Sequence, residues 1–208
     1  MDYIRNPDTI YARSFAIIRK EAPIDRLPEA VQPVAVRLIH ACGMIDVLDD
    51  LQISADLPDT ARAAVNAGKP VLADCEMVRS AIIRRYLPET SELICTLNDP
   101  RAAAIGREKS ITRSGAAVTL WRDHLAGAVV VIGNAPTALF GLLEMIDAGA
   151  PKPAAIIAMP VGFVGAAESK AELHANPRGI PYATLLGRRG GSAMAAGAFN
   201  ALFARERQ

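Results

Sequence analysis

The chain has 208 residues, 51% of them apolar, which suits one compact core and leaves little room for a second domain. Lys and Arg total 23 against 22 Asp and Glu, so the net charge of +1 provides no global field for nucleic acid or an anionic membrane. Apolar stretches such as Leu125 to Ile132 are too short to cross a bilayer, Met1 to Asn6 lacks a signal peptide's basic-then-apolar order, and three dispersed cysteines form no disulfide framework; a cytoplasmic location is expected.

Two helices are expected first, over Asp8 to Ala22 and Pro33 to Cys42. In the first, Ser14 shares a face with Ile10, Ile17 and Ile18, so its hydroxyl falls on a mainly apolar stripe. A back-bond to the carbonyl four residues earlier is the primary reading there, and ligand contact the second. In the next helix His40 occupies the last turn, one turn after Val36 and just before Gly43, a residue suited to the C′ position. A helix carboxyl end favours imidazolium, which biases this site towards a charged, proton-donating histidine. Cys42 is two residues further on and points elsewhere, so a thiolate–imidazole pair is not expected.

From Asp59 onward the pattern alternates. Helical spacing over Asp59 to Ala67 precedes a buried run at Pro70 to Ala73, and the sequence repeats this with a helix over Glu76 to Tyr86 and a strand over Glu92 to Thr96. A helix over Arg113 to Leu125 leads to a strand at Ala128 to Ile132, and a helix over Thr137 to Asp147 to one at Ala154 to Met159. The last repeat joins Ser169 to Ala175 to a strand at Tyr182 to Leu186, and Ser192 to Ala204 closes the chain as a helix. Such alternation predicts a three-layer α/β fold, a five-stranded parallel sheet with helices on both faces, in one domain spanning residues 1–208.

Ligands of open parallel sheets sit beyond the carboxyl ends of the strands. The segments there contain Asn134 and Thr137, Gly162 and Gly165, and Arg188, Gly190 and Gly191 ahead of Ser192. Several open directly into helices, which leaves backbone N–H groups to meet a carboxylate or phosphate. Arg113, beside Ser114 at a helix start, adds a guanidinium capable of bidentate carboxylate binding. No glycine run meets the Walker A or dinucleotide-binding pattern, so nucleotide chemistry is disfavoured. Cys75 lies between Asp74 and Glu76, whose charges oppose thiolate formation, and reads as a small buried residue. His124 and His174 sit among charged neighbours and read as solvated.

Longer stretches carry a family resemblance. Arg37-Leu38-Ile39-His40-Ala41-Cys42-Gly43 resembles the catalytic histidine segment of the precorrin-8X methylmutases, or precorrin isomerases, and Tyr11-Ala12-Arg13-Ser14-Phe15-Ala16-Ile17-Ile18 resembles their substrate-contacting helix. Ile94 to Arg101, Ile132 to Leu139, Met159 to Lys170 and Gly187 to Met194 resemble further family runs in the same order. The resemblance implies a flavodoxin-like sheet, a homodimer, and a methyl shift from C-11 to C-12 of a corrinoid precursor with neither metal nor cofactor. It places catalysis on His40 and a substrate contact on Ser14. Arg13, Arg113, Ser114, Asn134, Thr137, Gly162, Gly165, Arg188, Gly190 and Gly191 are inferred as further substrate-binding positions from charge, loops and strand ends. Two other classes compete: a non-catalytic corrinoid carrier using the same cleft, and a flavodoxin-like signalling domain. The second is disfavoured because Asp74-Cys75-Glu76 does not by itself supply the acidic cluster and later lysine of a phosphoacceptor site.

Overall fold

The computed structural model describes Met1 and residues 3–204. Asn6 caps the first helix, α1 (Pro7–Glu21), by accepting the Thr9 N–H at 2.9 Å. The second, α2 (Gln32–Cys42), ends at Gly43 in the left-handed region (φ 70°), whose N–H returns to the Ile39 carbonyl. A 3-10 segment, Ile45–Asp49, leads into strand β1 (Leu51–Ile53). There follow α3 (Leu57–Asn66), β2 (Val71–Ala73), α4 (Glu76–Ala81), β3 (Leu93–Ile94), α5 (Pro100–Lys109), α6 (Arg113–Thr119) and β4 (Val129–Ile132). The chain continues through α7 (Pro136–Asp147), β5 (Ala155–Ala158), α8 (Ala166–Ala175), β6 (Tyr182–Leu185) and α9 (Ser192–Phe203).

The sheet has six strands in the order β1-β6-β5-β4-β2-β3, and it is mixed rather than wholly parallel. All five expected strands pair in parallel, while β1 adds an antiparallel edge with Leu51 opposite Leu185. The expectation of five strands missed β1 because Leu51-Gln52-Ile53 is a three-residue edge with no apolar run to announce it. Side chains alternate between two cores. Val129, Val131, Ala155 and Ile157 face one cluster with Leu38, Leu57, Val78 and Phe199, whereas Val130, Ile132, Ile156 and Ala158 face another with Val118, Leu139 and Leu173. Helices therefore cover both faces.

Two expected helices are shorter than their periodicity suggests. α4 stops at Ala81 because Asn200 of α9 captures the backbone there: its amide donates to the Ala81 carbonyl and its oxygen accepts the Ile83 N–H, both at 2.9 Å. α6 stops at Thr119, whose hydroxyl bonds back to the Ala116 carbonyl at 2.7 Å, and Trp121 then turns into the core. α5 lay outside the expected elements although Asp99-Pro100 is an N-cap with proline at the first helical position. Among the described residues no helix is long and apolar enough to cross a membrane.

Candidate functional site

His40 arrives at the ligand-facing end of the sheet by topology. Because β1 runs antiparallel to β6, the segment between α2 and β1 lies beside the carboxyl end of β6, where the Leu186 N–H donates to the Asp50 carbonyl at 2.9 Å. α1 packs across α2 and sets Ser14 against the histidine, with Oγ 2.9 Å from Nδ1. Ser14 therefore meets a side chain, not the carbonyl four residues earlier. Tyr11 and Phe15 complete the enclosure, their rings centred 5.2 and 5.3 Å from the imidazole. The Arg37 guanidinium lies over both rings, 5.5 Å from Tyr11 and 5.2 Å from Phe15.

This enclosure reverses the expected charge of His40. Burial, and secondly the Arg37 cation, hold the imidazole below its ordinary pKa of 6.5. The free protein thus presents a neutral histidine at neutral pH. Its Nδ1 is engaged with Ser14, which fixes the ring and leaves Nε2 for a ligand. Cys42 takes no part, since its thiol bonds the Ile39 and Met44 carbonyls and is pushed up by burial.

Beside the pair opens a mainly apolar cleft of about 390 Å³, lined by Arg13, Ser14, Ile17, Ile39, His40 and Ile45 among others. Three of the expected site residues meet here. The remaining ones form a second, continuous rim. Arg113 and Ser114 begin α6, which is tied to α7 by the bond from the Thr112 hydroxyl to that of Thr137, 2.7 Å. Gly165 lies against Pro136 and Phe140 of α7, and the Gly162 N–H donates to the Arg188 carbonyl at 3.2 Å. Arg188 itself extends over the exposed Phe163 ring, 5.4 Å from its centroid. Arg189, which the sequence did not single out, joins rim to cleft: it reaches Asp46 and Asp50 at 2.6 Å each, on the segment that follows His40.

Two expected anion sites are already filled. Asp74, only 3% exposed, accepts the Gly133, Asn134 and Ala135 N–H groups at 3.0, 2.9 and 3.0 Å. Those donors hold the β4–α7 loop to β2 instead of remaining free for a ligand, and a carboxyl group directly after the apolar Val71-Leu72-Ala73 was the signal for it. Burial pushes the Asp74 carboxyl up despite its three donors. Likewise the Gly191 N–H is occupied by the Met159 carbonyl at 2.8 Å. Cys75 is buried, its Sγ 3.5 Å from the Ser192 hydroxyl, and burial and then Asp74 push its thiol up. Cys95 is pushed up to about 11, chiefly by burial. His174 is exposed, as expected, and also pairs with the Tyr182 hydroxyl at 2.7 Å.

The layout is that of an α/β protein whose ligand-facing loops gather at the carboxyl ends of a mostly parallel sheet. The precorrin-8X methylmutase family model matches residues 9–205, and the chain belongs to that family. It is 56% identical over 202 residues to the precorrin-8X methylmutase of Pseudomonas aeruginosa, covering 97% of each chain. It is also 56% identical to that of Sinorhizobium sp, covering 97% of this chain and 96% of that one. The precorrin-8X methyl mutase structure from Thermus thermophilus superposes with a TM-score of 0.84 at 34% identity, covering 94% of both chains.

Proposed function

We propose that this chain is the isomerase that moves a methyl group from C-11 to C-12 of precorrin-8X, giving hydrogenobyrinate in cobalamin biosynthesis. The observation that carries the reading is near-complete coverage by precorrin-8X methylmutases at 56% identity. A histidine held by a serine beside an apolar cleft is consistent with it.

The chemistry asks little of the protein. One C–CH₃ bond breaks and another forms within the same conjugated ring, so no atom is gained or lost and no protein nucleophile is required. The protein orients the macrocycle, excludes water and selects the tautomer. His40 Nε2 exchanges the proton that selects it, with Ser14 fixing the ring. The neutral resting imidazole gives the substrate a second role: its peripheral carboxylates offset the Arg37 charge and favour imidazolium in the complex. Arg13 beside the cleft, and Arg113 and Arg188 on the rim, supply cations for those carboxylates. Ser114, Asn134, Thr137, Gly162, Gly165, Gly190 and Gly191 border the same ligand.

The parallel strands, taken alone, run in the flavodoxin-like 2-1-3-4-5 order, which supports a three-layer, flavodoxin-like fold with one antiparallel strand added. The two cores share one sheet, which supports a single domain over 1–208, Asp2 and residues 205–208 lying outside those described. The cleft is open to one side, and Ile10 and Ile17 of α1 remain exposed beside it. Both features support a homodimer in which a second copy completes the enclosure. Free Cys42, Cys75 and Cys95 suit the cytoplasm.

The test is incubation of the pure protein with metal-free precorrin-8X, with absorbance following the chromophore and NMR locating the methyl group. His40→Ala should bind the product hydrogenobyrinate and lose about a hundredfold in turnover. Binding without migration by the wild-type protein would make it a carrier, and wild-type turnover by His40→Ala would remove the proton-transfer role.

A further inference from the structure

We infer that Lys170 is a positioning residue: its buried ammonium holds the Arg189 carbonyl and so sets the path of the Gly187–Ser192 loop against the substrate. The inference rests on the proposed reading of Gly190 and Gly191 as substrate-facing.

Lys170 lies in the second turn of α8 with no exposed surface, one of the largest fully buried side chains in the protein. Its Nζ donates to the Arg189 carbonyl at 2.5 Å. Among the described residues no carboxylate lies within ion-pair distance of it. Asp50, the acidic group whose charge acts on it, is already engaged by the Arg189 guanidinium at 2.6 Å. An unpaired buried cation is costly, and an apolar side chain of similar volume commonly gives a more stable fold. A stability role therefore explains Lys170 poorly.

What the ammonium does hold is the junction of two ligand-facing loops. On either side of its acceptor, the Arg188 carbonyl takes the Gly162 N–H, and the Gly191 N–H reaches the Met159 carbonyl. The Arg189 side chain continues the connection to Asp46 and Asp50 beyond His40. Lys170 thus sits beneath the point where the β5–α8 loop, the β6–α9 loop and the histidine segment meet. Burial lowers its pKa to about 8, so the charge cost is present below that value and relieved above it, while the strong charged bond to the loop is lost over the same range. The charged group that acts on it is Asp50, which the Arg189 guanidinium also holds, and that guanidinium reaches Asp46 as well.

The test compares wild type, Lys170→Met and, as control, Lys152→Met, which removes an exposed lysine-to-carbonyl bond to Arg178. In Lys170→Met the KM for precorrin-8X should rise about tenfold with kcat within about twofold, because one charged hydrogen bond that shapes ground-state binding is lost. Its melting temperature should not fall below wild type, and amide exchange over residues 187–192 of the ligand-free protein should quicken. Wild-type KM should climb between about pH 7 and about pH 9, while that of the variant stays flat. Lys170→Gln, a neutral donor, should lie between. Unchanged KM and exchange in Lys170→Met, or a lower melting temperature with normal KM, would overturn the inference. Should Lys170→Met not fold, a pH-independent wild-type KM would do the same. Absence of wild-type turnover would strike the proposed function, and the exchange measurement would still read the positioning.

Discussion

Replacing Gly190 by alanine isolates the packing of the loop that follows β6, proposed to face the substrate. An added Cβ would lie 2.2 Å from the Met159 carbonyl oxygen and 2.7 Å from that of Pro160, both backbone atoms that no rotamer change can move. Restoring an ordinary contact of 3.4 Å displaces the loop by about 1.2 Å. Such a shift breaks the bonds from Gly191 N–H to Met159 and from Gly162 N–H to Arg188. At about 1 kcal/mol for each neutral bond, with more for the charged bond from Lys170, the loss is about 3–5 kcal/mol. For a chain of this length that corresponds to a melting temperature lower by roughly 10 °C if the loop melts with the body. If the loop instead swings free, the same energy appears as weaker binding. Gly191 is the matched comparison: φ is +132° and nothing lies within 4 Å of its Cβ position, so alanine there meets backbone strain without a clash. Thermal unfolding and absorbance titration with hydrogenobyrinate distinguish the cases. A Gly190→Ala protein that melts and binds like wild type would refute the apposition of the two loops.

Arg37→Met removes the cation that helps keep His40 neutral, so the His40 midpoint followed by NMR of labelled histidine should move up; an unchanged midpoint would leave burial as the whole cause. In wild type the unfolded histidine binds a proton that the folded one resists, so acidification below about pH 6.5 should cost stability, and less so in the variant. If imidazolium is the active form, kcat/KM should fall as pH rises through that lowered midpoint, with the kcat profile displaced upward by the bound carboxylates. Asp74→Asn sets an amide donor against three N–H donors and should lower stability by about 1–3 kcal/mol, seen as a melting temperature lower by roughly 3–10 °C. The loss is less than three bonds suggest, because the folded carboxyl's raised pKa makes its ionisation a cost that is fully present at neutral pH and absent from asparagine.

The parallel core was legible because its strands are buried on both faces. Val129-Val130-Val131-Ile132 and Ala155-Ile156-Ile157-Ala158 feed two cores at once, so every position is apolar and the run is continuous. β1 escapes the same logic. An edge strand of three residues with Gln52 at its centre is recruited by its neighbour β6, and no property of Leu51-Gln52-Ile53 in isolation requires it. The truncation of α4 shows the same dependence on distant residues, since it ends where Asn200 reaches it from a helix more than a hundred positions away. Periodicity measures which face is apolar; it is blind to a side-chain amide that offers the backbone better partners.

At the site, position in the sequence exposed the groups but not their state. The end of α2 singled out His40 and the apolar stripe of α1 singled out Ser14, yet neither revealed that the two side chains meet across 26 residues. The charge of the histidine was then misjudged because a helix end is local, whereas Tyr11 and Phe15, which help bury the ring, and the neighbouring Arg37 act through tertiary packing. Asp74, Lys170 and Arg189 share a complementary feature: each is a charged side chain, buried or half-buried, that bonds backbone of a distant segment. Such charges are costly unless something is held in exchange, and in each case what is held is backbone of the ligand-facing end. The loops at the carboxyl ends of the strands are thus fixed by buried or half-buried ions, while the cleft beside His40 is mainly apolar. That division fits a ligand whose ring is apolar and whose periphery is anionic, and it places the residues that tune affinity one layer below those that touch it.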